Sequence, residues 1–331
     1  MSVSDKEMTN IKRDTSRRFN DNLRKFYFPS VVILGSIILS LMIHGSGFKL
    51  ALDFPIDISN EIEGSLDHSI DWAVMTFGDF FDAISDAIKV VLGKLRDLLL
   101  WIPWPIMMFL VFAIGWKIAS LKIAMMSVVG MILLAIVNLW EPTMVTVAIM
   151  IVAVFLSIVI GVPVGILAAR SDAVDTGIRP VLDTMQTMPS FVYLVPGIMF
   201  FGLGNVAAIF ATVLYALPPC IRLTNLGIRQ VDASVVEAGR SFGSSNMQLL
   251  FKIQIPMAIP TIMAGINQTV MMALAMSTIA AMVGAGGLGI EVLRAMGQLR
   301  EGEAVVAGCA IVILAVIIDR ISQGYVEKQA S

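Results

Sequence analysis

Residues 142–169 read PTMVTVAIMIVAVFLSIVIGVPVGILAA and contain no charged side chain. A helix that crosses a bilayer needs about 20 mostly apolar residues, because it rises about 1.5 Å per residue through about 30 Å of hydrocarbon. This stretch is therefore long enough to span a membrane. It belongs to a chain of 331 residues that is 57% apolar and 15% charged, with a mean hydropathy of +0.85. Soluble domains carry about 25% charged residues, so the composition predicts an all-α integral membrane protein.

Seven further stretches have the same apolar character, so the sequence predicts about eight transmembrane helices. The predicted spans are residues 27–44, 101–117, 122–140, 142–169, 187–203, 205–223, 257–283 and 304–321. Lysine and arginine concentrate near the cytoplasmic ends of spans. Placing the N-terminus inside puts 17 of the 23 basic residues on the cytoplasmic side. We therefore expect both termini to be cytoplasmic.

These spans divide the chain into successive segments. The segments are a cytoplasmic tail (1–26), an anchor helix (27–44), an extracytoplasmic acidic segment (45–100), two additional transmembrane helices (101–140), a core (142–321) and a second cytoplasmic tail (322–331). Within the acidic segment, apolar residues recur at helical spacing, which predicts an amphipathic helix near residues 70–99. Two roles fit this helix. It either anchors the chain at the outer membrane surface or docks an extracytoplasmic partner through Asp79, Asp82 and Asp86.

The loop between the sixth and seventh spans predicts a helix-turn-helix on the cytoplasmic side. Ser234 and Glu237 have the spacing of a capping box, so a short helix is expected to start there. Gly243 is expected to end it, because a left-handed backbone conformation costs glycine little. Ser245 can then cap a second short helix. A rigid, exposed pair of helices of this kind is suited to binding another protein.

This loop resembles the EAA loop of ABC importer permeases, whose pattern is E-A-A, three residues, G, nine residues and I-x-L-P. The chain has Glu237-Ala238-Gly239, then Gly243, then Ile253-Gln254-Ile255-Pro256 at the same spacings. Gly239 replaces the second alanine and Ile255 replaces the leucine. In that family the loop forms the coupling helix that sits in a cleft of the ATPase subunit. The resemblance implies that the coupling residues are Ser234, Glu237, Ala238, Gly239, Gly243, Ile253 and Pro256.

Longer stretches of sequence indicate which branch of the ABC importer permeases the chain resembles. Residues 179–197 and 236–270, with the GGLG at 286–289, resemble the permeases of glycine betaine/proline betaine importers, the ProW-like branch. The resemblance implies a MetI-like core of five helices from residue 142 onward, in a homodimeric pore of the inner membrane. It implies two ATPase subunits that hold ATP and Mg, and an extracytoplasmic binding protein that selects the ligand. The implied substrate is glycine betaine, proline betaine, choline or carnitine, with trimethylamine N-oxide as a near relative.

The sequence contains no catalytic constellation, so we expect a transport subunit rather than an enzyme, with no cofactor or metal on this chain. A G-x-x-x-x-G-K-[ST] sequence for ATP binding is absent. The GAGGLG at 284–289 fits G-x-G-x-x-G, but a dinucleotide site requires a preceding strand and here a predicted span precedes it. The alternative function is a self-contained carrier or channel. The scarcity of ionisable residues inside the spans disfavours a carrier that is driven by protons or sodium.

The span at 257–283 contains several polar residues in an otherwise apolar helix. At about 100° per residue, Asn267, Met271, Leu274 and Thr278 share one face. Polar side chains within a bilayer face protein or water rather than lipid. This face is therefore predicted to line the dimer interface and the translocation path. Hydrogen bonding between helices is the alternative role for its polar members.

Overall fold

The computed structural model describes residues 29–44 and 58–330, with side chains described up to Gly324. Within these ranges the ordered elements are helices, and no strand occurs. The chain divides into two units, residues 1–69 and residues 70–331, and each is described by itself. The predicted cytoplasmic tail at 1–26 and residues 45–57 of the acidic segment lie outside the described residues.

From α2 onward the helices follow one another with short connections. The helices before the core are α1 (Pro29–His44), α2 (Ser59–Trp101), α3 (Trp104–Ile118) and α4 (Leu121–Ile136). The core contains α5 (Trp140–Arg170), α6 (Asp172–Thr187), α7 (Leu194–Phe201), α8 (Asn205–Arg229), α9 (Ala233–Ser241), α10 (Asn246–Leu249), α11 (Ile255–Ile279), α12 (Leu288–Gly297) and α13 (Glu301–Ala330). Short 3-10 turns occupy Ser190–Tyr193 and Ala280–Val283, and a π-helical turn occupies Leu250–Gln254.

In the part of the chain that the structure describes, four helical segments are long and apolar enough to cross a bilayer, namely Trp140–Arg170, Asn205–Arg229, Asn246–Val283 and Glu301–Gly324. Helices α2 and α3 meet at a bend of 103° and pass the same test together, which gives a fifth candidate. The protein is therefore an all-helical membrane protein, but the prediction of about eight spans is met only in part. Helices α1 and α4 are apolar but shorter than a full span.

The predicted span at 187–203 is wrong as a continuous helix. Its helical part, Ser190–Phe201, begins with a 3-10 turn and covers only about 18 Å at the α-helical rise. The cause is Pro189, because the residue before a proline is disfavoured in the α-helical region. Met188 accordingly has extended dihedral angles (φ −70°, ψ 133°), and α6 ends before it.

Helices α5, α8 and α11 form the centre of the second unit, and small residues allow them to approach closely. A Cβ atom added at Gly165 of α5 would lie 2.6 Å from Thr224 Cβ of α8. One added at Gly265 of α11 would lie 2.9 Å from Leu223 Cβ of α8. Close backbone contact of this kind is typical of membrane helices, which lack a hydrophobic drive to associate in lipid.

Residues 70–101 of α2 confirm the predicted amphipathic helix near residues 70–99. Its apolar side packs on α5 and α8, where Leu92 is buried in a cluster with Ile149, Ile209 and Val213. Phe81 stacks on Phe200 of α7, with ring centroids 4.6 Å apart. This part of α2 therefore packs against the core helices, at the end that is predicted to face outward.

Loops that are predicted to lie on the same side of the membrane lie at the same end of the helix bundle. At the predicted outer end, the N–H of Gly286 donates to Asn205 Oδ1 (2.9 Å) and the N–H of Leu288 donates to Thr146 Oγ1 (2.7 Å). At the other end, the guanidinium of Arg170 lies 3.6 Å from the sulfur of Met247. These contacts connect the helix ends that the predicted topology pairs.

Candidate functional site

We define the coupling segment as residues 232–256, which contain α9 and α10. Helix α9 starts at Asp232, whose carboxylate accepts the N–H of Ser234 at 2.8 Å. This hydrogen bond lowers the pKa of Asp232, because it stabilises the charged form. The predicted capping box of Ser234 with Glu237 is therefore wrong. Aspartate is as good an N-cap as serine, and its charge also favours the positive end of the helix.

The predicted turn at Gly243 is confirmed. Gly243 has a φ of +79°, a left-handed conformation that costs a residue without Cβ little. Its N–H donates to the carbonyl oxygen of Arg240 (2.9 Å), and the N–H of Ser244 donates to that of Gly239 (3.1 Å). These two bonds form a Schellman motif, which satisfies carbonyl groups at the end of α9. The turn leaves the side chain of Phe242 90% exposed at the corner.

The second predicted cap is also confirmed. The N–H of Gln248 donates to Ser245 Oγ (3.3 Å), and the N–H of Ser245 donates to Gln248 Oε1 (2.9 Å). Helix α10 then runs through the π-helical turn into α11 without a break. The part of the coupling segment from Asn246 onward and the following membrane helix are therefore one continuous helical rod, which the hydropathy pattern did not reveal. Single π-helical turns of this kind often occur at functional sites.

Gly239 lies buried between the two arms of the coupling segment. A Cβ atom at this position would lie 2.6 Å from Ile253 Cδ1 and 2.8 Å from Leu249 Cδ1. Glycine therefore allows α9 to pack closely on the start of the helical rod. Glu237 and Ala238, which precede Gly239, are exposed. Pro256, at the first turn of α11, is exposed as well.

A cluster of charged groups, the Arg229 cluster, lies where the coupling segment leaves the helix bundle. It consists of Arg229, Asp172, Asp175, Asn225 and the carbonyl group of Ala168. Arg229 donates to Asp172 (2.6 Å), to Asn225 (2.9 Å) and to the carbonyl oxygen of Ala168 (2.7 Å). Asp175 is buried and accepts from Asn225 Nδ2 (2.7 Å). Sequence reasoning missed this cluster because its members come from three helices.

Asp175 also accepts from Arg179 on its own helix, at 2.5 Å. This bond is the largest influence on Asp175 and lowers its pKa below the ordinary value, although burial opposes the shift. The buried carboxylate is therefore held in its charged form. A second ion pair, Arg222 with Asp183, joins the same two helices, α6 and α8, farther along α6.

The predicted path face on α11 is only partly accessible. Leu274 is buried in the core of the chain, among residues that include Met144 and Leu288, so its assignment to the path is wrong. Asn267 accepts a hydrogen bond from the hydroxyl group of Ser322 on α13. This contact favours the alternative, hydrogen bonding between helices. Met271 and Thr278 are half-buried.

A neighbouring face of α11 is exposed instead. We call it the α11 stripe, and its members are Ala264, Gln268, Met271, Ala275 and Thr278, with Met282 in the 3-10 turn that follows α11. At about 100° per residue these positions fall within about 40° of a single line along the helix. Gln268 and Ala275 are exposed, and Met282 is 66% exposed. The predicted face was therefore rotated by about 50° relative to the exposed one.

The predicted outer end of the bundle has two features, an acidic group on α2 and a cleft. Asp79, Asp82 and Asp86 are exposed on α2, with Asp86 Oδ1 3.2 Å from Lys89 Nζ. A cleft of about 620 Å³ lies between the ends of four helices and is lined by Arg96, Asp97, Glu141, Asn205 and Glu291, among others. No sequence pattern indicated this cleft, since its walls come from distant segments. No group of three or more His, Cys, Asp or Glu side chains suited to a metal ion occurs in the described ranges.

Known proteins resemble this chain in sequence and fold. The family model for the binding-protein-dependent transport system inner membrane component matches residues 161–331. The glycine betaine transport system permease protein OpuAB of Bacillus subtilis is 46% identical over 80% of this chain and 94% of its own length. The glycine betaine/proline betaine transport system permease protein ProW of Escherichia coli is 48% identical over 77% of this chain and 72% of its own length. A chain of the MetNI methionine ABC transporter, in an inward-facing conformation, shares the fold with a TM-score of 0.51 at 24% identity, over 55% of this chain and 92% of that chain.

Proposed function

The chain belongs to the family of binding-protein-dependent transport system inner membrane components, and we propose that it carries a quaternary ammonium osmolyte of the glycine betaine class. It is the permease subunit of an ABC importer, in which ATP hydrolysis is performed by a separate subunit. The observation that carries the substrate proposal is the identity of 46% and 48% with permeases named for glycine betaine transport, over more than three quarters of the chain. Proline betaine, choline and carnitine belong to the same class, and trimethylamine N-oxide is the alternative.

The α11 stripe supports a homodimeric pore. Gln268 is exposed in the middle of a membrane helix of a single chain, and an amide that faces hydrocarbon loses its hydrogen bonds. The stripe therefore faces protein or water in the membrane. We propose that two copies of the chain face each other across this stripe and that Gln268, Met271, Ala275 and Thr278 line the path. Amide, thioether and hydroxyl groups let a methylated cation pass without binding it tightly.

The coupling segment is proposed to bind the ATPase subunit, which holds ATP and Mg. Its two short helices are capped at both starts and joined by the Gly243 turn, so the segment has a defined shape. The exposed side chains of Phe242 and Met247 provide the apolar contact that a docking site requires. Glu237 and Ala238 lie exposed nearby, as expected for a surface that meets a partner.

The outer end of the bundle is proposed to receive the binding protein. The acidic residues Asp79, Asp82 and Asp86 and the cleft beside Glu141 and Glu291 both belong to this end. The family description places the chain in the inner membrane. With the predicted orientation, both termini and the coupling segment are cytoplasmic.

Reconstitution of the complete transporter tests the substrate class. The permease, its ATPase and its binding protein are placed in proteoliposomes, and uptake of glycine betaine, proline betaine, choline, carnitine and trimethylamine N-oxide is measured separately. We expect saturable uptake of glycine betaine that requires the binding protein. Uptake of trimethylamine N-oxide without glycine betaine would favour the alternative substrate. Failure to transport any methylated amine would contradict the proposal.

A further inference from the structure

Arg229 joins the ends of three helices. It is the last residue of α8, and its guanidinium donates to the carbonyl oxygen of Ala168 in the last turn of α5. It also donates to Asp172 in the first turn of α6, while Nε donates to Asn225 on α8. Nη2 lies 3.9 Å from the buried carboxylate of Asp175. The Arg229 side chain is only 33% exposed, so these contacts are partly shielded from water.

The geometry of these contacts requires an arginine. A guanidinium presents N–H donors in a fixed planar fork, whereas a lysine ammonium is a compact charge on a flexible stem. The acceptors of Arg229 lie on different elements, and the fork reaches them at the same time. The carbonyl groups in the last turn of a helix lack partners within the helix and favour a nearby cation. Arg229 therefore satisfies the end of α5 while it also neutralises the start of α6.

The position of Arg229 in the chain gives these contacts a mechanical consequence. Only Gln230 and Val231 separate Arg229 from Asp232, the cap of α9. On the far side of the coupling segment, the guanidinium of Arg170 contacts the sulfur of Met247 at 3.6 Å. The end of α8, next to the coupling segment, thus contacts the end of α5, and α10 within the segment contacts it again. A displacement of this segment reaches α5 and α6 through side chains, in addition to the backbone of α8.

We propose that Arg229 is a positioning residue that makes the coupling segment move as one body with α5, α6 and α8 during ATP-driven import. The inference rests on the proposed function, because it assigns a route for the movement that the ATPase generates. Without Arg229, the end of α8 beside the start of α9 loses its hydrogen bonds to Ala168 of α5 and Asp172 of α6. Local bending there then absorbs the movement before it reaches the membrane helices.

The test uses the complete transporter in proteoliposomes and measures glycine betaine taken up per ATP hydrolysed. Replacement R229Q keeps a hydrogen-bonding side chain but removes the charge and the fork. We expect the complex to assemble and to hydrolyse ATP while uptake per ATP falls about tenfold, the effect of losing one hydrogen bond to a charged group. The matched control is R179Q, which removes an arginine from the same Asp175 but within one helix. We expect the control to keep the wild-type ratio, since Arg179 joins no other element to α6.

A second variant guards against misfolding. Asp172, at the start of α6, is 91% exposed and accepts a hydrogen bond from Arg229. D172N therefore removes one charge of the Arg229 cluster without disturbing buried packing. We expect uptake per ATP to fall about threefold, as befits an exposed ion pair. If R229Q does not assemble, D172N decides the question. Wild-type ratios in D172N, or in R229Q where it assembles, would overturn the inference, and so would an equal loss in R179Q. Absence of uptake by the wild-type complex would instead contradict the proposed function.

Discussion

Replacing Phe242 with alanine removes an exposed aromatic side chain from the corner between α9 and α10. The side chain is 90% exposed in the single chain, so the substitution removes little packing within the permease. When a partner covers this corner, full burial of the phenylalanine side chain contributes about 1.5–3 kcal/mol. The dissociation constant of the ATPase is therefore expected to rise about 10- to 100-fold.

The assay measures binding of the ATPase to detergent-solubilised permease, together with the thermal unfolding of the permease alone. F242A is expected to weaken binding and to leave the unfolding temperature unchanged. The matched control is F109A, which removes an exposed phenylalanine from α3, a helix outside the coupling segment. If F242A binds the ATPase as tightly as the wild-type chain, the corner is not a docking contact. An equal loss of affinity in F109A would show that the effect is not local.

Three further results are expected. G243V forces a β-branched residue into a left-handed conformation (φ +79°), which costs L-residues about 1–2 kcal/mol. ATP hydrolysis stimulated by the loaded binding protein should therefore fall. A wild-type rate would contradict the role of the turn. Single cysteines that replace Gln268 and Ala275 should react with a water-soluble thiol reagent at rates that depend on the trapped ATPase state. A cysteine that replaces Leu274 should stay protected. Equal protection at all three positions would refute the α11 stripe as the path. Replacing Asp79, Asp82 and Asp86 together with serine should weaken binding of the loaded binding protein about tenfold, because each exposed charge contributes about 0–1 kcal/mol. Unchanged affinity would leave α2 as an anchor only.

Local signals in the sequence predicted the coupling segment well. A glycine that tolerates a left-handed conformation and the Ser245–Gln248 pair act within a few residues, so their spacing is enough to place a turn and a cap. The start of α9 was misplaced because Asp232 and Ser234 are both good caps and stand two residues apart. Only the hydrogen bond between them identifies which one ends the preceding loop.

Features that depend on distant segments could not be predicted in the same way. Helical periodicity gives the spacing of a face but not its direction, so Asn267 was assigned to the path although Ser322 of α13 lies against it. Hydropathy marked 187–203 as one apolar stretch and did not register the break at Met188 and Pro189. The Arg229 cluster joins residues that are about 60 positions apart, and no local rule brings them together.

The energy source of uptake tests the central claim most directly. Proteoliposomes that contain the permease and its ATPase are supplied with glycine betaine and the binding protein, with or without enclosed ATP and Mg. We expect accumulation against a gradient only when ATP and Mg are present, and none when the permease is reconstituted alone. Accumulation by the permease alone, driven by a proton or sodium gradient, would contradict the account and identify a self-contained carrier.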